Sequence, residues 1–254
     1  MWGPLGPSPV QRFARSYREH AAGLEHRLVV LLNGFAAPED AREHLAALDR
    51  IEHETLFLER STLDLVAYGT AAERLEADVL CYLNSHSELL APDWLAKLRA
   101  QLDHAGIVGA TGSFERPHSI LPWRRRRWPA WPNVHLRSNA FMLRRELMRS
   151  LQWPEVTDKR EAWALESGRK GMTAQIRGQG LSALVVGRDG VGYAPERWPE
   201  SATFRAGGQE NLLVSDNRTR QWAEAEPAER QRLTRLTWGP AASAAPHRPP
   251  TATT

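Results

Sequence analysis

Glu76-Ala-Asp-Val-Leu-Cys-Tyr-Leu-Asn-Ser-His-Ser-Glu-Leu-Leu-Ala-Pro-Asp-Trp-Leu95 divides into three parts. Val79 to Leu83 is a short apolar, β-favouring run that reads as a buried strand. Asn84, Ser85, His86 and Ser87 form a polar tip. Pro92 and Asp93 then open a helix, with proline at a first helical position and a carboxylate near the positive end of the dipole. Strand, polar tip and helix make the layout of an α/β ligand site, because ligands settle at the carboxyl ends of strands.

The same alternation extends to both sides. Upstream, Arg27–Leu32 reads as a strand ending in the turn Asn33-Gly34, Pro38–Asp49 as a helix, and Thr55–Leu58 as a second strand. Asp64 to Glu76 is a loop entering a helix. Downstream, the helix from Pro92 to about His104 turns Leu95, Leu98 and Leu102 inward and stops near Gly106, and Ile107–Ala110 is a further strand. This pattern predicts a mostly parallel central sheet flanked by helices. Beyond Thr111 come a long loop over 112–132, a strand over 134–142 and a helix over 144–151. Residues 160–179 are helical, loosened at Gly168 and Gly171, and 181–186 is a strand. The domain reading is an N-terminal arm over 1–26, one α/β domain over 27–222, and a C-terminal helix with a disordered tail over 223–254, whose Pro/Ala/Thr composition cannot bury a core.

Bulk properties narrow the classes. At 254 residues the chain can bury a substantial core, and a net charge of +3 permits a phosphate-bearing ligand without pointing to nucleic acid. The one cysteine, Cys81, sits in an apolar strand, where it reads as a structural thiol. No apolar run approaches the roughly 18 residues of a membrane span, and the opening residues do not read as a signal peptide. The expectation is a cytoplasmic protein, with contact at the inner membrane face as an option.

Leu80 to Leu98 resembles the segment of GT-A-fold, family 2-like glycosyltransferases that runs from an apolar strand through an Asp-x-Asp pair to Pro-x-Trp-Leu. The resemblance extends over roughly residues 28 to 220. It implies a GT-A-like, Rossmann-like sheet and a nucleotide-sugar donor, with inverting transfer to a saccharide or lipid-linked acceptor. In that family the Asp-x-Asp pair holds a divalent metal and the donor diphosphate; here the aligned positions are Asn84-Ser85-His86. Mg²⁺ or Mn²⁺ usually collects carboxylates, so no metal ligand is assigned. Asn84 and His86 are instead candidates on the diphosphate side, in a reaction where basic groups neutralise the leaving diphosphate.

The resemblance also places Asn33 and Asp64 toward the nucleobase and ribose. Glu166, in Ala164-Leu-Glu-Ser167, matches the first acid of the family's acceptor-side helix, where a carboxylate deprotonates the acceptor hydroxyl; Ser167 replaces the second, and Asp158 is the reserve base. Arg124 to Arg127, bracketed by Trp123, Trp128 and Trp131, is the most basic segment, and arginine forks bind phosphate bidentately. Arg124, Arg125 and Arg137 are the candidate cations for donor binding. Each candidate has a plain structural alternative: a turn for Asn33 or Asp64, a strand tip for His86, a surface ion pair for Glu166, a solvated loop for the arginines. Two competing readings remain beside the enzyme. One is a GT-A domain that binds a nucleotide, a glycan or a partner subunit without transfer, which the replaced Asp-x-Asp favours. The other, less favoured, is a nucleic-acid-binding protein built on Trp123–Trp131.

Overall fold

The computed structural model describes residues 1–116, 129–153 and 159–239, and its architecture is α/β. In chain order the elements begin with α1 (Ser8–Glu19), β1 (Val29–Leu32), the short α2 (Arg42–Leu45), β2 (Glu54–Phe57) and α3 (Asp64–Arg74). Then come β3 (Val79–Leu83), β4 (Glu88–Leu89), α4 (Trp94–Leu102), β5 (Ile107–Gly109), β6 (Gly112–Ser113), β7 (His135–Leu136) and β8 (Ala140–Arg144). The rest is α5 (Arg145–Ser150), α6 (Lys159–Ser167), α7 (Met172–Gly178), β9 (Ala183–Val186), β10 (Gly192–Tyr193), β11 (Val214–Ser215), α8 (Asn217–Glu224) and α9 (Pro227–Trp238).

The main sheet has five strands in the order β10-β9-β5-β8-β3. β5 pairs parallel with β9, while β8 runs antiparallel to both β5 and β3, and β10 antiparallel to β9. β1 and β2 form a separate parallel pair, so the expected mostly parallel sheet is corrected to a mixed one in two parts. The reversal has a simple origin. After β5 the chain makes its excursion through β6 and β7, which pair with each other just past the end where β5 stops. A chain that re-enters a sheet from the end it left must run the other way.

β8 shows why the sheet is central. Along Ala140–Leu143 alternate side chains face opposite layers, as the period of a strand requires. Phe141 and Leu143 pack with Tyr68, Tyr82 and Trp198, whereas Ala140 and Met142 pack with Trp94, Leu98 and Val186. Both faces are therefore buried, which is why the run is apolar throughout. The N-terminal segment is also packed into the body: Val10 and Ala14 of α1 are buried, and the Ser16 hydroxyl accepts from the Leu89 amide at 3.0 Å.

Trp198 closes one layer. It is fully buried, its indole N–H donates to the Tyr193 carbonyl at 2.8 Å, and its ring stacks on Phe114. A Cβ at Gly112 would stand only 2.5 Å from that ring, so the glycine is what lets strand and indole approach. Trp198→Ala should lower the unfolding free energy by about 3–5 kcal/mol, read as a shift of the urea midpoint at unchanged slope. A loss under about 1 kcal/mol would show that the layer does not depend on this ring.

Candidate active site

A cleft of about 710 Å³ opens at the carboxyl ends of β3 and β5 and at the head of β8. Asp64, Asn84, His86, Arg137 and Glu166, five of the residues singled out from the sequence, all line it. They arrive from separate elements. Asp64 stands in the first turn of α3, Asn84 and His86 follow β3, Arg137 follows β7, and Glu166 lies near the end of α6.

The tip after β3 is shaped by Asn84. Its Oδ1 accepts from the His86 amide at 2.9 Å and from the Ser87 hydroxyl at 3.2 Å, while its own amide donates to the Asn139 carbonyl at 2.9 Å. This is an Asx turn, in which a short side chain replaces a backbone acceptor. Its carbonyl oxygen is therefore spent on the loop. His86 is held with its Nδ1 buried and without a partner among the described residues. Burial, and next the Arg220 guanidinium, hold the imidazole below its ordinary range, so it is neutral at neutral pH.

Glu166 is fixed by the residue before β8's head. Its Oε2 accepts from the Ser138 amide at 3.0 Å and from the Ser138 hydroxyl, and no described residue bonds Oε1. Asp64 lies within the field of both flanking groups. Burial raises its carboxyl above the ordinary range, the amine of Met1 and His86 pull it down, and Glu166 adds to the rise. His135, buried in the same wall, is lowered first by desolvation.

Arg137, half-buried at the cleft, and the fully buried Asp216 form a pair at 2.6 Å. Asp216 also caps α8, accepting from the amides of Arg218 at 3.0 Å and Thr219 at 2.8 Å. Burial alone would raise its carboxyl, but the Arg137 charge and these hydrogen bonds outweigh it and the group stays below its usual range. The Arg137 guanidinium lies 4.1 Å from the Phe204 ring centroid, and Arg205 lies 4.8 Å from the same ring. Arg205 is buried, bonded to Glu115 at 3.2 Å, and desolvation pulls it down to about 10. Its backbone has φ 49°, with Ala202 at 51° and Gln209 at 57°, so this wall is a buried loop holding three non-glycine residues in the left-handed region.

Asn33 is placed elsewhere. Its Nδ2 donates to the Thr62 carbonyl at 2.8 Å and its Oδ1 accepts from the Thr62 amide at 3.0 Å, which commits the whole amide to linking β1 with the start of α3. It faces a second cavity and not the cleft with His86. Arg124, Arg125 and Asp158 lie outside the described residues. Ser138, His135, Phe204, Arg205 and Asp216 are cleft residues that the pattern reading did not select. For the last three a signal existed, since 198–222 carries more amides, hydroxyls and guanidiniums than a surface tail needs.

Among the described residues no group of three or more His, Cys, Asp or Glu side chains is placed to hold a metal ion. Among them, too, no helix is long and apolar enough to cross a membrane. The cleft offers one carboxyl raised above its ordinary range and another held below it, an imidazole lowered by burial and guanidiniums, a set suited to a polar ligand.

No family model and no curated protein matches the chain. Among solved structures it is similar to HddC from Yersinia pseudotuberculosis, at 12% identity over 57% of this chain and 66% of that one, with a TM-score of 0.36. The same protein complexed with GMP-PN gives 11% identity over the same shares and a TM-score of 0.37. The chain thus spans just under two thirds of that protein, and at these scores the likeness carries no argument about fold or site.

The Arg137–Asp216 pair sets an acid limit to stability. A carboxyl depressed in the fold contributes stability above its unfolded value of about 3.9 and loses it as pH falls through the folded value. Asp216→Asn should cost on the order of 1–3 kcal/mol at neutral pH by removing the counter-charge of the half-buried Arg137. It should also flatten the fall in stability below about pH 4. Urea melts of both proteins between pH 3 and pH 7 measure this, and parallel pH profiles would exclude the pair as the source.

Proposed function

We propose that the chain is a GT-A-like, metal-independent glycosyltransferase, which moves a sugar with inversion from a nucleotide-sugar donor to a saccharide-type acceptor. One observation carries the reading: Glu166, fixed through Oε2 by Ser138 and unbonded at Oε1 among the described residues, faces the same cleft as His86 and Arg137. Glu166 takes the proton of the acceptor hydroxyl as that oxygen attacks the anomeric carbon, and the bond to the diphosphate breaks on the opposite face. The leaving diphosphate needs charge stabilisation aimed at where charge develops. Arg137 and Arg218 line the cleft for that role, and neutral His86 donates one hydrogen bond. Arg124 and Arg125, the sequence's further candidate cations for the donor, lie outside the described residues. Asp64 orients the donor's ribose or base, and Asn33 supports it at one remove through Thr62, which also lines the cleft.

A second reading is favoured by the Asn84 turn. Its carbonyl oxygen is used inside the loop where the resembling enzymes present a metal-binding carboxylate. A domain that binds a nucleotide, glycan or partner without transfer would keep the cleft and lose only turnover.

Glu166→Gln keeps size and one hydrogen-bond acceptor while removing proton acceptance. It should lower sugar transfer by roughly 10²–10⁴-fold with donor affinity retained. Transfer within threefold of the parent would remove Glu166 as base. Absence of turnover in both proteins, with binding intact, would favour the second reading.

Donor binding, followed by thermal shift over UDP-, GDP-, TDP- and CMP-sugars, should give a stabilising hit by mass action. That shift should survive EDTA. Loss on chelation, restored by Mn²⁺, would show a metal site and overturn the metal-independent reading.

A further inference from the structure

A cavity of about 500 Å³ separates the two parts of the sheet, with Leu28–Leu31 along one side and Val79–Leu83 along the other. The pairing pattern shows what faces it. The Leu28 and Leu32 carbonyls accept from β2, so the backbone groups of Val29, Leu31 and Asn33 point the other way. The Asp78 carbonyl and the Asn84 amide bond toward β8, so those of Val79, Cys81 and Leu83 face away from it. Two unpaired sheet edges thus confront each other across a gap.

The far end of the gap is already bridged. Met1 N donates to the Leu31 carbonyl at 2.7 Å, the Met1 carbonyl accepts from the Asn33 amide at 3.0 Å, and Gly3 N donates to the Asn33 carbonyl at 2.8 Å. Trp2 pairs with Asn33 in a parallel bridge, and on its other side the Trp2 amide donates to the Ser85 hydroxyl at 2.9 Å. Residues 1–3 therefore sit between the ends of β1 and β3 in the manner of a strand's last residues. Since both ends meet there, β1 and β3 run in the same direction.

We propose that one more strand fills this cavity: an extended, apolar segment of polypeptide that runs parallel between β1 and β3 and leads into Met1. Buried edge groups are otherwise costly, and a strand supplies a donor and an acceptor to each side alternately. The walls fit a strand buried on both faces, with Val10, Phe13 and Tyr17 of α1 lining the cavity together with Ala67, Tyr68 and Ala71 of α3. About four to five residues span the length of the edges at roughly 3.3 Å each. The buried Tyr68 hydroxyl and Trp94 indole N–H, both of lining residues, have no partner among the described residues. The added strand joins the two-stranded and five-stranded sheets into one, and its end delivers Trp2 to the cleft that Trp2 also lines.

The test compares the 254-residue chain with two forms lengthened ahead of Met1 by six residues, one Thr/Val-rich and one with proline at alternate positions. Hydrogen exchange of the 29–31 and 79–83 backbone amides is the readout. The Thr/Val form should slow exchange at Leu31, Cys81 and Leu83 by at least tenfold and raise the melting temperature, and the proline form should do neither. Equal exchange in all three forms would overturn the proposal, as would equal protection by the proline form. So would a single-chain hydrocarbon probe that binds the cavity equally in the Thr/Val form. Intact mass of the protein from its native cells gives an independent arm. A chain heavier than one beginning at Met1 supports the proposal, and one beginning at Met1 overturns it.

Discussion

The cleft depends on three consecutive residues, Arg137, Ser138 and Asn139, at the head of the central strand. Each holds a different wall. The Asn139 carbonyl accepts from the Asn84 amide and the Ser87 hydroxyl, fixing the tip after β3, and its Oδ1 accepts from the Thr111 hydroxyl beyond β5. Ser138 grips Glu166 with two donors. Arg137 reaches Asp216 and so the start of α8. Because β8 is buried on both faces and paired on both edges, this triplet has little freedom. A site whose walls come from four separate segments gains its rigidity from the strand that all four segments touch.

Much of this was legible in the chain, and the failures have physical causes. Val79–Leu83, the helix after Trp94 with Leu95, Leu98 and Leu102 buried, and the breaks near Gly168 and Gly171 follow from period and punctuation alone. Pattern does not encode direction. A central strand buried on both faces is apolar whether it runs parallel or antiparallel, so β8's reversal left no mark. Pro38–Asp49 read as one helix but splits into a 3₁₀ turn over Pro38–Ala41, α2, and a second turn over Ala46–Leu48. Its apolar stripe of small alanines and two leucines is too weak to hold one continuous helix against the surrounding contacts.

The site residues divide in the same way. Asp64, Asn84, His86 and Glu166 could be picked out because a motif or a strand tip marks them. Asn33 shares the tip position, yet its amide serves Thr62, and nothing in its neighbours distinguishes a residue facing the ligand from one that braces the next loop. Asp216 lies in a segment whose polar composition stands out, but its pairing is invisible for the opposite reason. Its partner Arg137 is 79 positions away, and only folding brings the two charges together. Arg205 adopts a left-handed backbone that its side chain disfavours, and that too is imposed by tertiary packing.

The electrostatics and the divided sheet meet at one place. Asp64 is raised by burial and by Glu166, while Asp216, more deeply buried, is lowered by Arg137 and two amides. One cleft thus holds a carboxyl biased toward its proton and another fixed as an anion, a separation that burial produces only when counter-charges are unevenly shared. The uneven sharing follows from topology. Asp216 caps a helix beside the central strand, whereas Asp64 stands at the border of the gap between β1 and β3, where Trp2, Asp64, Asn84 and Ser85 line both the cleft and the inner cavity. Whatever occupies the gap therefore lies against Asp64. A backbone strand placed there excludes water without adding charge, so it would keep that carboxyl biased toward its proton. In this fold the inner cavity and the cleft share Trp2, Asp64, Asn84 and Ser85, so the packing of the one bears on the electrostatics of the other.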